Sequence, residues 1–270
     1  MTALEKLENK NNEGKFICVG LDTDIEKIPV HLKDSQNNIL EFNKQIIEST
    51  IDNAAAYKLN LAFYECHGIE GINQLEKTLE IIPSDVLTIG DAKRGDLGNT
   101  SNMYAKSIFE HYAFDSITLH PYMGHDSISP FLDYLDKLNF VLTLTSNKGA
   151  ADFEKVKLEN GKQLYQLIIE KVKEWNKNNN CGLVYGATHT KELEEDIDLF
   201  GQLPILVPGV GAQGGSLKEV INIISRRDKM RLLVNVSRGI IYKDSSKNFA
   251  KAAGEELIKL NTMVNEALNK

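Results

Sequence analysis

Val86-Leu-Thr-Ile-Gly-Asp-Ala-Lys-Arg-Gly-Asp-Leu-Gly-Asn-Thr100 is the stretch on which the reading of this chain turns. Val86 to Ile89 is short, apolar and rich in β-branched residues, the pattern of a buried strand. Asp91, Lys93, Arg94 and Asp96 follow closely, with glycines at 90, 95 and 98. Side chains alternate across a strand, so Asp91 and Lys93 are expected on one face and Ala92 on the other. Opposite charges side by side at the end of a buried strand are tolerated only where they neutralise one another or a ligand. A solvated turn also scatters charges, so the surroundings must decide.

Outward from this strand, apolar strand signals alternate with helical ones. Phe16–Leu21 and Ala54–Asn60 precede it, the latter placing Lys58 and Asn60 on one face. Ser116–Leu119, Phe140–Thr145, Gly182–Gly186, Pro204–Val207 and Arg231–Val236 follow. Helical spacing is read from Ile39 to Ile47, from Ile69 to Ile82, and after an N-cap at Asn99 or Thr100. It recurs over Phe131–Leu138, Leu164–Trp175, around Leu193, over Leu217–Ile224 and over Ala250–Leu268. Eight apolar strands alternating with helices, without a linker or composition break, imply right-handed β-α units around a parallel sheet. Eight is the number that closes a (β/α)8 TIM barrel, so the expectation is an α/β fold with residues 1–270 as one domain.

In such a barrel the active site lies at the C-terminal ends of the strands. The polar clusters fall there: Asp22 after the first, Lys58 in the second, and Asp91 and Lys93 after the third. Ser146, Gly209 and Arg238 follow the fifth, seventh and eighth. Pro208-Gly-Val-Gly-Ala-Gln-Gly-Gly215 can crowd backbone amides around an anion, and Ser237-Arg-Gly239 adds a guanidinium suited to phosphate. Loops seven and eight are where barrels of this class commonly hold phosphate.

Composition narrows the partners. The net charge of −7 argues against nucleic acid or an anionic membrane, while a local cationic pocket for a phosphorylated small molecule remains compatible with it. Met1-Thr-Ala-Leu-Glu-Lys6 has no apolar signal core, and no stretch is long enough to span a bilayer. Cys18, Cys66 and Cys181 lie far apart without zinc spacing, which reads as free thiols in a reducing cytoplasm. His120 and His125 read as structural, Trp175 as core, and the lysine-rich stretch from Lys148 to Lys162 as a solvated, mobile loop.

Asp91-Ala-Lys-Arg-Gly-Asp96 with Gly98-Asn-Thr100 resembles the signature of the orotidine 5′-phosphate decarboxylase family. Gly20-Leu-Asp22, Lys58, Thr145-Ser-Asn147, Gly186-Ala-Thr188, Pro208-Gly-Val-Gly-Ala-Gln-Gly214 and Ser237-Arg-Gly239 match further family blocks in the same order. The resemblance runs from about residue 16 to residue 240 and is nearest the longer-subunit bacterial branch, given the chain length and His120-Pro-Tyr-Met-Gly124. One departure is Leu59, where that branch carries proline after the lysine; no functional group is lost by it.

The resemblance implies decarboxylation of orotidine 5′-monophosphate to UMP and CO2 in de novo pyrimidine biosynthesis, without cofactor or metal. By the match, Lys93 stabilises the developing carbanion and protonates C6, and Asp91 lies beside the substrate carboxylate. Lys58, Asp91, Lys93 and Asp96 make an alternating charge chain. Asp22 and Lys58 contact ribose hydroxyls, Ser146 reads the pyrimidine edge, Gln213 helps close a loop, and Gly209, Gly211, Ser237 and Arg238 belong to the phosphate and nucleotide site. The family's counterparts of Asp96 and Thr100 come from the neighbouring subunit, which implies a homodimer with shared sites. Two other readings stay open: a magnesium-dependent decarboxylase or aldolase acting on a sugar phosphate, and a non-catalytic phosphate-binding barrel. The Arg94-Gly95 pair and the Pro208–Gly214 loop speak against the first, and the four alternating charges against the second.

Overall fold

Alternation of apolar residues with a period of two produces the barrel wall. In the computed structural model, which describes residues 1–211, 214–227 and 229–268, eight parallel strands pair in chain order and close. They are β1 (Ile17–Gly20), β2 (Ala56–Asn60), β3 (Leu87–Arg94), β4 (Ser116–Leu119), β5 (Leu138–Leu144), β6 (Cys181–Tyr185), β7 (Ile205–Val207) and β8 (Leu232–Val236). One set of side chains points inward: Cys18, Ala56, Leu87, Ile89, Phe140, Val184, Leu206 and Leu233 share a buried cluster. The other set, including Val19, Tyr57, Ile117, Val141, Leu183, Val207 and Val234, packs against the surrounding helices. Each fully buried aliphatic or aromatic side chain is worth about 1.5–3 kcal/mol, so both layers are needed to hold the wall.

The base of the barrel is closed by a helix that the apolar periodicity does not announce, Ala3–Asn12. Thr2 caps it reciprocally with Glu5, and Ala3 and Leu7 join the interior cluster. Lys6 pairs with Asp115 at 2.6 Å, and the Asn11 side chain makes two bonds to the backbone of Leu232. With base and flanks sealed, the C-terminal ends of the strands form the open end.

Elsewhere the structure corrects the sequence reading in four places. β3 does not stop at Ile89 but runs through Asp91 and Lys93 to Arg94, with a register shift against β4 between Gly90 and Arg94. The helix expected over Phe131–Leu138 is only Ser129–Leu132, because Leu138 begins β5, paired with Ser116 and packed inside the barrel. Asn99 and Thr100 are not caps: the helix Gly98–Lys106 starts before them, with Leu97 at the cap position. Gly98 adopts a φ of 42° that lets the chain turn in so tightly, and the Asp96 carboxylate accepts the Leu97 N–H at 2.7 Å. The stretch from Lys148 to Lys162 is not simply a solvated loop: it carries a short helix, Lys148–Asp152, and turns Glu154 into the open end of the barrel. Trp175 packs on the core as expected, with His125 against its ring.

Candidate active site

Three adjacent strands deliver a line of charge to the open end. Asp22 follows β1, Lys58 lies in β2, and Asp91 and Lys93 lie in the last half of β3. The Lys58 ammonium sits 2.8 Å from Asp91 Oδ2 and 3.4 Å from Asp22 Oδ1, and the Lys93 ammonium is 2.5 Å from Asp91 Oδ1. Burial by itself pushes Asp91 up and Lys58 down. Lys58 and Lys93 nevertheless hold the Asp91 carboxyl well below the usual carboxylate range, and Asp91 and Asp22 hold Lys58 above the usual lysine range. Both groups are therefore charged throughout the neutral range. The Lys58 side chain is 6% exposed and that of Lys93 is 51%, so the first is a fixed internal charge and the second can reach a ligand.

Backbone geometry aims Lys93. It is a non-glycine residue with a φ of 47°, placed where β3 shifts register against β4. That conformation costs about 1–2 kcal/mol and persists only when neighbours enforce it. Thr118 of β4 is the enforcing neighbour: its Oγ1 accepts the Lys93 N–H at 3.1 Å and donates to Asp91 Oδ1 at 2.9 Å. One hydroxyl thus ties the two charged residues together.

These residues line a cavity of about 530 Å³. Its floor is apolar, from Leu142, Val184 and Leu206, and the charged line forms one wall. Gly209, Ser237, Arg238 and Gly239 form another, at the ends of β7 and β8. Gly209 has a φ of 96°, a conformation that brings backbone rather than side chain to the cavity. Ser146 lines the cavity at the end of β5, close against β6. A side chain at Gly186 would lie 2.8 Å from the Ser146 nitrogen, so only glycine permits that approach.

Of the residues singled out from sequence, Asp22, Lys58, Asp91, Lys93, Ser146, Gly209, Ser237 and Arg238 meet in this cavity. Gly211 does not line it, and Gln213 lies outside the described residues. Asp96 and Thr100 are also away from the cavity lining, so the charge line within one chain is Asp22–Lys58–Asp91–Lys93 and does not include Asp96. Arg94 turns outward to Glu65 and stacks over Tyr104. Sequence reasoning missed Thr118, Glu154 and Asn235 as parts of the lining. Asn235 alone carried a signal, an amide interrupting the apolar run Leu232–Val236.

A family model for the orotidine 5′-phosphate decarboxylase / HUMPS family matches residues 15–253. The chain belongs to this family. It is 45% identical, over the whole of both chains, to the orotidine 5′-phosphate decarboxylase of Christiangramia forsetii. Its structure superposes on the Leishmania donovani OMP decarboxylase with a TM-score of 0.85 and 36% identity, covering 98% of this chain and 100% of the other. A putative orotidine-monophosphate decarboxylase of Toxoplasma gondii gives 0.87 and 30%, with 98% and 97% covered.

Membership in the orotidine 5′-phosphate decarboxylase family gives the cavity a chemical frame. On one wall an ammonium is held against a carboxylate. A guanidinium and a glycine turn on another wall suit a dianion. Among the described residues no helix is long and apolar enough to cross a membrane.

Proposed function

We propose that this cavity decarboxylates orotidine 5′-monophosphate to UMP and CO2, without cofactor, with Lys93 as the group that meets the developing carbanion. The carrying observation is the pairing of a half-exposed Lys93 with an Asp91 whose charge is locked by a buried Lys58. Breaking the bond from C6 to the carboxylate carbon leaves the electron pair in an orbital in the ring plane, where the ring's π system cannot delocalise it. A neighbouring ammonium stabilises that pair and then transfers a proton to it, forming the C6–H bond of UMP; solvent recharges the amine. The fixed Asp91 carboxylate beside the substrate carboxylate disfavours the ground state by like-charge repulsion that CO2 departure relieves.

The remaining residues divide the ligand. Asp22 and Lys58 take ribose hydroxyls, Ser146 reads the pyrimidine edge, and Gly209, Ser237 and Arg238 take the phosphate side. Phosphate is remote from the reacting carbon, so its binding energy organises the charged site.

The active unit in this proposal is a cytoplasmic homodimer, the whole of 1–270 acting as one domain in each subunit. Asp96 and Thr100 reach across to complete the neighbour's charge line. Exposed Leu97, Met103 and Tyr104 surround them, and exposed Tyr122 and Met123 occupy the loop bonded to the same segment through Asp96 N–H and Ser127 O. An apolar group of this kind around two polar site residues suits burial against a second copy.

The test is the loss of substrate absorbance when purified protein is mixed with orotidine 5′-monophosphate in excess chelator. The expected result is complete conversion to UMP at a rate the chelator does not change. No conversion, or conversion only on adding magnesium, overturns the proposal and favours the metal-dependent reading.

A further inference from the structure

Thr145, the residue just before Ser146, is held at every polar group. Its N–H donates to Glu154 Oε2 at 2.7 Å, and its hydroxyl lies 2.8 Å from Glu154 Oε1 and 2.6 Å from Asn147 Oδ1. Its carbonyl accepts from His189 Nε2 at 2.9 Å. Glu154 belongs to the loop after β5 and His189 to the loop after β6, so two loops grip one residue from opposite sides of its backbone.

The direction of the His189 bonds follows from the partners. Its other ring nitrogen, Nδ1, is 3.2 Å from the Lys155 ammonium, which has protons to give and no lone pair. The Thr145 carbonyl has lone pairs and no proton. The ring therefore carries its hydrogen on Nε2 and accepts at Nδ1. Lys155 is in turn paired with Glu192 of the helix Thr190–Asp196, which anchors the grip to the scaffold.

The Thr145 carbonyl and the Ser146 nitrogen belong to one planar peptide unit, so fixing the carbonyl fixes the plane that carries the Ser146 nitrogen and Cα to the cavity. Glu154 itself faces the cavity, yet both of its carboxylate oxygens are engaged by Thr145.

We propose that Glu154 and His189 are positioning residues for the Thr145–Ser146 segment, and that this clamp sets recognition of the pyrimidine ring independently of the ribose and phosphate contacts. The inference rests on the reading above that Ser146 faces the pyrimidine. The phosphate wall at the ends of β7 and β8 shares neither Glu154 nor His189, so the two kinds of recognition are separable by mutation.

The experiment compares UMP with ribose 5-phosphate, which lacks the base, as competitive inhibitors of turnover. The proteins are the wild type, Glu154→Ala, Glu154→Gln and His189→Ala. Loss of the acceptor for a partly buried N–H is expected to weaken UMP roughly tenfold in Glu154→Ala and to leave ribose 5-phosphate within about twofold. Glu154→Gln keeps an acceptor oxygen for the Thr145 N–H and is expected to recover most of the UMP affinity. His189→Ala is expected to reproduce the selective loss.

Equal weakening of both inhibitors, or of neither, in folded Glu154→Ala or His189→Ala overturns the inference while leaving the decarboxylase reading intact. Wild-type protein that fails to turn over orotidine 5′-monophosphate overturns the reading itself. Should Glu154→Ala not fold, His189→Ala alone still decides the question.

Discussion

Replacing Lys93 by alanine is expected to lower kcat for orotidine 5′-monophosphate by at least ~10⁴-fold, about 5.5 kcal/mol in barrier, while UMP affinity changes by less than about tenfold. The substitution removes both the cation facing the carbanion and the proton that ends the reaction, and both act only after the carboxylate has begun to leave. The ribose and phosphate contacts assigned to Lys58, Asp22 and Arg238 are untouched, so the loss belongs to the chemical step. Asp91 keeps Lys58 at 2.8 Å and Thr118 at 2.9 Å, which limits the structural damage. Circular dichroism and sizing of the variant control for what damage remains. A folded Lys93→Ala protein within tenfold of wild type would show that Lys93 is not the proton donor.

Mixing two inactive proteins is expected to restore activity. Lys93→Ala and Asp96→Ala homodimers each carry a lesion in both sites if Asp96 serves the neighbouring subunit. In a hybrid, one site collects both lesions and the other has neither. Random exchange of equal amounts makes half of the dimers hybrid, so about one quarter of wild-type activity should return. Exchange is followed independently with differently tagged chains. Zero activity in a mixture proven to contain hybrids means that each site is built within one chain, and Asp96 then loses its proposed role.

The fold was legible because eight apolar runs are separated by helical ones, and the charge line was legible because Asp91 and Lys93 break the end of such a run. Burial favours apolar residues at those positions, so a carboxylate and an ammonium there mark something other than packing. Thr118 was hidden for the opposite reason. Threonine is an ordinary strand residue, and its role appears only when the shifted pairing of β3 and β4 sets it between Asp91 and the Lys93 backbone. Glu154 stands nine positions from Thr145 in a lysine-rich stretch that reads as solvated, and nothing local shows that it folds back.

The helix Ala3–Asn12 escaped because its surface is mostly polar: Ala3 and Leu7 supply its apolar contact with the barrel base, and Lys6, Lys10 and Asn11 are buried through polar partners. The misplaced helix at Phe131–Leu138 shows the remaining ambiguity. A short apolar run suits either a strand or a helix, and the parallel pairing of Leu138 with Ser116 decided for the strand.

The proton transfer to C6 is the central claim, and it can be examined without decarboxylation. By microscopic reversibility the amine that protonates the C6 carbanion also removes the C6 proton from bound product. A 5-fluoro substituent acidifies that position, so 5-fluoro-UMP in heavy water, followed by proton NMR, reports the step directly. The account predicts that wild-type protein exchanges the C6 hydrogen for deuterium well above the uncatalysed rate, and that folded, nucleotide-binding Lys93→Ala does not. Equal exchange by the two proteins would contradict it.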